Sequence, residues 1–331
     1  MTRTAFLGAY GFGNLGDELC LIEAMRAFPS DDAYAFAVDG AWTLGCVPDL
    51  AGCFAHPEAM RGLAPDRIVF GGGMYGLSDA FRTWMPALVE ALDRGAEVHF
   101  HNLGVARLKF DLGWLDDAAH SVFDRATTFT VRDYVSFEMI AEAGIRRLPR
   151  ISFYPEADIP ADPSLADSLL PPGRKLLGLS IIPLPGMQAC LRHEAARVRA
   201  LLEEFRDHAV VPIASTVHRD LRREDDITGI QDFLAEFLPE AEVAAPVLLD
   251  PAHWRRAVTP RNLKGLIARC DTLISQRKHN AVHAIGAGLR VIGLHPLEDD
   301  SLRRTFVALT HRLAPGSRCV GLDAPPAEAA A

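Results

Sequence analysis

The chain has 331 residues, too many for one ordinary hydrophobic core, so two domains of average size are expected. Apolar residues make up 49% and charged residues 23%, the proportions of a globular protein rather than a disordered one. A formal charge of −9 excludes a broad nucleic-acid surface, which must be basic, but allows a local cluster of Arg and Lys that binds a small anion.

The first segment, 4–10, reads as a strand running straight into a glycine loop. It lacks the basic start and small-residue cleavage site of a signal peptide. No stretch reaches the roughly 18 apolar residues of a membrane helix, so a cytoplasmic protein without an integral membrane segment is expected. Further strands are expected at 33–38, 67–71, 96–103, 127–132 and 150–154, with amphipathic helices at 17–28 and 78–94. The strand cores, such as Ile68-Val69-Phe70, are apolar on both faces, as in a parallel sheet covered by helices. Residues 159–175, rich in Pro, Asp, Ser and Gly, punctuate rather than fold.

The alternation restarts with a strand at 176–182, a helix at 188–208, a strand at 209–214 and a helix at 224–238. A helix opens at Thr259-Pro260, a good N-cap with Pro at the first helical position. It is followed by a strand at 272–276, a helix at 280–287, a strand at 291–294 and a helix at 301–313. The expected architecture is α/β: two doubly wound, Rossmann-like domains facing a cleft. An N-terminal domain spans 1–160 and a linker 161–175. A C-terminal domain spans 176–323, and a disordered tail 324–331. The six cysteines form no CxxC pair, so reduced thiols are expected rather than a disulfide framework or a zinc site.

Ligands of such sheets bind beyond the C-terminal strand ends. There Gly11, Gly13 and Gly16 spell GxGxxG, and Asp39 lies where a ribose-binding acid would sit. A bound pyrophosphate needs the positive start of the next helix, and Asp17 and Glu18 occupy that turn. The loop therefore reads better with Asp17 as helix cap and the glycines admitting a ligand closely, or as a plain tight turn. A second loop, Gly71, Gly72 and Gly73, offers either exposed amides or a close backbone crossing.

The sharper signal follows the strand at 272–276. Arg277 supplies a planar fork for carboxylate or phosphate and Lys278 a point charge, at a helix start. His279 is an acid or base titrating near neutrality. His279 and His283 have metal-ligand spacing, but the zincin Glu and a third ligand are missing, so no metal is expected and His283 reads as buried and hydrogen-bonded. His218, ahead of the acidic run 224–226, is a further candidate.

These segments together resemble the polysaccharide pyruvyl transferase family: Gly11 to Glu18, Phe70 to Met74, Val131-Arg132-Asp133 with Ser136, Ala143 to Ile145, His218 with Asp225, and Ile274 to His279. The matches run in family order from about residue 5 to about residue 296. The resemblance implies a fold like that of GT-B glycosyltransferases and phosphoenolpyruvate as co-substrate, with no cofactor. The enol-pyruvyl carbon would pass to two hydroxyls of a sugar-containing acceptor, giving a cyclic ketal and phosphate. Arg277 and His279 match the family's Arg-x-His, tied to donor binding and catalysis. Lys278 and His218 join them on the donor side. Gly11, Gly13, Asn14, Gly16, Asp17, Gly72 and Gly73 fall to the acceptor, which could be lipid-linked. The general base is His218 or Asp17. Two departures stand out. Lys278 replaces the usual Leu, and the stretch from Ser180 to Gly186 lacks an Arg that the family often has. A nucleotide-sugar glycosyltransferase and a non-catalytic sugar-binding protein are the competing readings.

Overall fold

The computed structural model describes residues 1–72, 82–105, 117–217, 225–299 and 301–325. Internal contacts divide the chain into two compact units, Met1–Ile159 and Pro160–Ala331.

In the first unit, β1 (Arg3–Leu7), β2 (Asp32–Phe36), β3 (Gly52–Phe54), β4 (Arg67–Gly71), β5 (Glu97–Leu103), β6 (Thr128–Val131) and β7 (Arg150–Ile151) form one parallel sheet in the order β3-β2-β1-β4-β5-β6-β7. The alternation of side chains along each strand explains why both faces are covered. Ala5, Leu7, Ile68 and Phe70 enter one core, while Phe6 and Val69 enter the core on the opposite face. The first core is cemented by rings: Phe100 stacks on Phe123 at 4.6 Å between centroids, and Phe123 on Phe129 at 5.4 Å. The covering helices are α1 (Leu15–Ala27), α2 (Gly40–Cys46), α3 (Pro57–Leu63), α4 (Met85–Asp93), α5 (Asp117–Arg125) and α6 (Tyr134–Glu142).

The second unit holds β8 (Leu176–Ser180), β9 (Ala209–Pro212), β10 (Thr272–Ser275), β11 (Arg290–Pro296) and β12 (Arg318–Leu322), parallel in the order β12-β11-β10-β8-β9. Every residue of β8, β9 and β10 is buried. Its helices are α7 (Ser164–Leu169), α8 (Pro185–His193), α9 (Ala195–Leu202), α10 (Asp226–Phe237), α11 (Pro251–Ala257), α12 (Pro260–Ala268), α13 (Lys278–Gly286) and α14 (Ser301–Ala308).

Several boundaries differ from expectation. The stretch 161–175 is not a bare linker, because it carries α7 and is bound to α12. The Asp162 amide donates to the Arg261 carbonyl at 3.0 Å, and a side chain at Gly265 would fall 2.0 Å from the Asp162 carbonyl oxygen. The helix expected over 188–208 is two helices, since Glu194 leaves helical geometry (φ −94, ψ 22) between α8 and α9. The strand expected over 150–154 stops at Ile151, because Phe153 and Tyr154 have left-handed φ of 53 and 57. The tail expected over 324–331 falls outside the described residues from 326 onward, as does the start of the helix expected at 78.

Strand order reverses between β1 and β4 in the first unit and between β8 and β10 in the second. Ligands of doubly wound sheets bind at such switch points.

Candidate functional site

The loops singled out from the sequence follow β1 and β4 in the first unit and β10 in the second, so each lies beside a switch point. In the first unit, Asn14 rather than Asp17 caps α1. Its side chain accepts from the Gly16 amide at 3.0 Å, and its carbonyl accepts from the Asp17 amide at 3.1 Å. Asp17 lies within the first turn of α1 and is buried.

Glu18 is fully buried and turns back under the loop. Its Oε1 accepts from the Gly11 amide at 2.8 Å and from the Thr43 hydroxyl at 3.3 Å. Burial pushes this carboxyl up to about 8, so it is largely neutral at pH 7. The Gly11 amide is thereby committed to Glu18 and not to a phosphate. Asp39 caps α2 by accepting from the Trp42 amide at 3.1 Å. Both assignments remove groups that a dinucleotide fingerprint uses. Gly11 and Gly13 have φ of 80 and 79, and a Cβ on Gly11 would lie 2.5 Å from the Asp39 nitrogen.

Gly71 and Gly72 are explained by close packing. A Cβ on Gly71 would meet the His101 carbonyl oxygen at 1.8 Å, and one on Gly72 would meet the Tyr10 hydroxyl at 2.8 Å. The Tyr10 hydroxyl itself donates to the Gly71 carbonyl at 2.9 Å. Gly73 lies outside the described residues.

In the second unit, Arg277 is the N-cap residue of α13, and the Ser275 hydroxyl shapes the turn by accepting from the Arg277 amide at 3.1 Å and donating to its carbonyl at 2.8 Å. The guanidinium is held by Asp226, with Nε at 2.8 Å and Nη2 at 2.6 Å from Oδ1. Asp226 is fully buried, and its Oδ2 accepts from the Ser215 and Thr216 amides, each at 3.0 Å. Arg277 keeps 21% of its side chain exposed, so the fork is aimed by a buried carboxylate yet reaches solvent. Lys278 and His279 are half-buried on the first turn of α13. Asn280 ties this turn to the neighbouring strand ends, donating to the Ser180 hydroxyl at 2.7 Å and the Ile213 carbonyl at 3.2 Å.

The chain after Ser180, where no Arg occurs, is held by Gln276, whose Oε1 accepts from the Ile182 amide at 2.8 Å. His218 lies outside the described residues. His283 is buried, as expected, but neither ring nitrogen has a hydrogen-bond partner among the described residues. Burial, with Lys264 nearby, drives its pKa far below the ordinary histidine value, so it is neutral. Asp226 was missed by sequence reasoning. Its place in an acidic run at a helix start signals only capping, and Asp225 does that work by accepting from the Ile227 amide at 3.0 Å.

The profile of the polysaccharide pyruvyl transferase family matches residues 14–295. No curated protein matches the chain in sequence. Among solved structures, UDP-GlcNAc 2-epimerase from Methanocaldococcus jannaschii is similar with a TM-score of 0.58 and 12% identity, over 97% of this chain and 89% of that one. The MnaA–UDP structure from S. aureus gives 0.55 and 10% identity, over 96% and 92%. UDP-GlcNAc 2-epimerase from Neisseria meningitidis bound to UDP-GlcNAc gives 0.53 and 10%, over 89% and 83%. At these identities the likeness is one of fold: two doubly wound α/β domains of the GT-B type.

Proposed function

Because the chain belongs to the polysaccharide pyruvyl transferase family, we propose that it moves the enol-pyruvyl group of phosphoenolpyruvate onto two hydroxyls of a sugar-containing acceptor, forming a pyruvate ketal and releasing phosphate. The observation that carries this reading is the turn after β10. There a fork aimed by a buried carboxylate, a second cation and a histidine share the start of one helix at a topological switch point.

The chemistry suits these groups. His279 gives a proton to the donor's methylene carbon, which becomes the methyl group, and positive charge develops on the enol carbon. One acceptor hydroxyl adds there, phosphate leaves, and the second hydroxyl closes the ketal. The two hydroxyl protons replace the one consumed and leave one with phosphate. Arg277, held by Asp226, holds the donor's carboxylate or phosphate, and Lys278 neutralises the departing phosphate. Gly11, Gly13, Asn14, Gly16 and Asp17 are assigned to the acceptor. No cofactor enters this scheme. His218 remains a candidate on the donor side.

The absence of Arg after Ser180 favours testing a nucleotide-sugar donor beside this one. The test is product analysis with phosphoenolpyruvate, UDP-sugars and a panel of glycans. Pyruvyl transfer predicts a new ketal methyl proton resonance with one phosphate released per ketal. Release of nucleotide, with no ketal, would reject it in favour of glycosyl transfer.

A further inference from the structure

Arg132 follows β6 directly and is 1% exposed. A guanidinium taken from water is costly unless its N–H groups are bonded. Nevertheless, Nε, Nη1 and Nη2 of Arg132 have no hydrogen-bond acceptor among the described residues. Among the described residues the carboxylate paired with it, Asp133 Oδ2, is 3.9 Å from Nε, beyond hydrogen-bond reach, and buried Glu156 is a further acidic neighbour. Asp133 is occupied elsewhere, accepting from the Ser136 amide at 2.7 Å and the Tyr154 hydroxyl at 2.8 Å.

The surroundings are built around this charge. The guanidinium lies on the bare backbone of Gly104, where a Cβ would fall 2.2 Å from Cζ, and over the Tyr154 ring at 5.7 Å. Tyr154, and with it Phe153 and Asn102 at the neighbouring strand ends, hold left-handed backbone with φ of 57, 53 and 52. Such strain gathers where a site must be held in shape. Asn102 is pinned from both ends, its Nδ2 donating to buried Glu156 at 2.7 Å and its Oδ1 accepting from the Ser152 hydroxyl at 2.9 Å. The position is the C-terminal end of a parallel strand, the side of the sheet that also carries the glycine loops.

We propose that Arg132 anchors an oxyanion site in the first unit, which takes a phosphate or carboxylate group carried by the acceptor. The acceptor's identity as ligand rests on the pyruvyl-transfer reading; the anion site does not.

The experiment uses the full chain carrying Arg277→Ala, so that the second unit's cation is out of the readout. Inorganic phosphate, glucose 1-phosphate and glucuronate are titrated by calorimetry, with folding checked by circular dichroism. Saturable binding of at least one, weakened tenfold or more by adding Arg132→Lys and lost with Arg132→Met, is the expected result. Phosphate and glucose 1-phosphate binding without glucuronate marks a phosphate-bearing acceptor, and the converse marks a uronate. If Arg132→Met does not fold, Arg132→Lys decides together with the Arg132 Nε–Hε resonance of the wild-type chain, which should shift on adding the anion. No binding by any of the three, or binding unchanged in Arg132→Lys, overturns the site. Phosphoenolpyruvate binding to wild type against Arg277→Ala is scored separately, so failure of the donor reading is told apart from failure of this one.

Discussion

A carboxyl shut away from water keeps its proton to higher pH, and Glu18 shows what that does to a loop. Burial in the folded state raises its pKa from the ordinary value of 4.5, which the unfolded chain keeps, to about 8. Between those values the folded state holds a proton that the unfolded state lacks, so this group's contribution to stability is full below the lower value and falls as pH rises towards 8. The limiting slope is about 1.4 kcal/mol per pH unit. Glu18→Gln should flatten that slope and exceed wild type in stability at pH 8, read from urea melts between pH 5 and 8.5. Parallel pH profiles for the two proteins would contradict the buried-acid account. Asp226 serves differently, as a buried carboxylate that aims a cation. Asp226→Asn should cost about 2 kcal/mol, the scale of a hydrogen bond to a charged group, and weaken phosphoenolpyruvate binding roughly tenfold. Unchanged melting and unchanged binding would show that Arg277 is positioned by something else. Neither role was legible in the sequence. Acidic residues at a helix start read as caps facing solvent, and the Asp226–Arg277 pair joins positions 51 residues apart.

At the scale of elements, legibility followed length and pattern. β4 was plain because Ile68, Val69 and Phe70 are apolar in both directions, and β10 because Leu273 and Ile274 are. α2 and β3 were missed: the first is a seven-residue helix that contains Gly40 and Gly45, the second only three residues long. α8 and α9 read as one helix because helical apolar spacing continues across Glu194, where the backbone turns. The triple-glycine loop presented two alternatives, and close packing explains its first two residues. Gly71→Ala should therefore cost about 3 kcal/mol or more, because the strand beside it cannot move aside cheaply. Gly62→Ala, at an exposed position of α3 with nothing within 4 Å, should instead stabilise by about 0.5–1 kcal/mol. Thermal melts of the two variants check the pair, and equal effects would contradict the packing argument.

For the whole molecule, a net charge of −9 coexists with a local cationic turn, so anion binding here depends on position rather than on overall field. No helix among the described residues is long and apolar enough to cross a membrane. The two units repeat one plan, a parallel sheet with its candidate residues beside the point where strand order reverses. That plan was legible as alternating strands and helices, whereas the strand order that selects the switch points was not. The most direct test of the donor assignment is thermal stability of wild type and Arg277→Ala with phosphoenolpyruvate, a nucleotide-sugar panel and NAD. A ligand at 100 times its dissociation constant stabilises the fold by about 2.7 kcal/mol, enough to move the melting point of a chain this size by several degrees. Stabilisation of wild type by phosphoenolpyruvate alone, abolished in Arg277→Ala, is the predicted result. Stabilisation by a nucleotide sugar instead, or a phosphoenolpyruvate shift that survives the loss of Arg277, would contradict it.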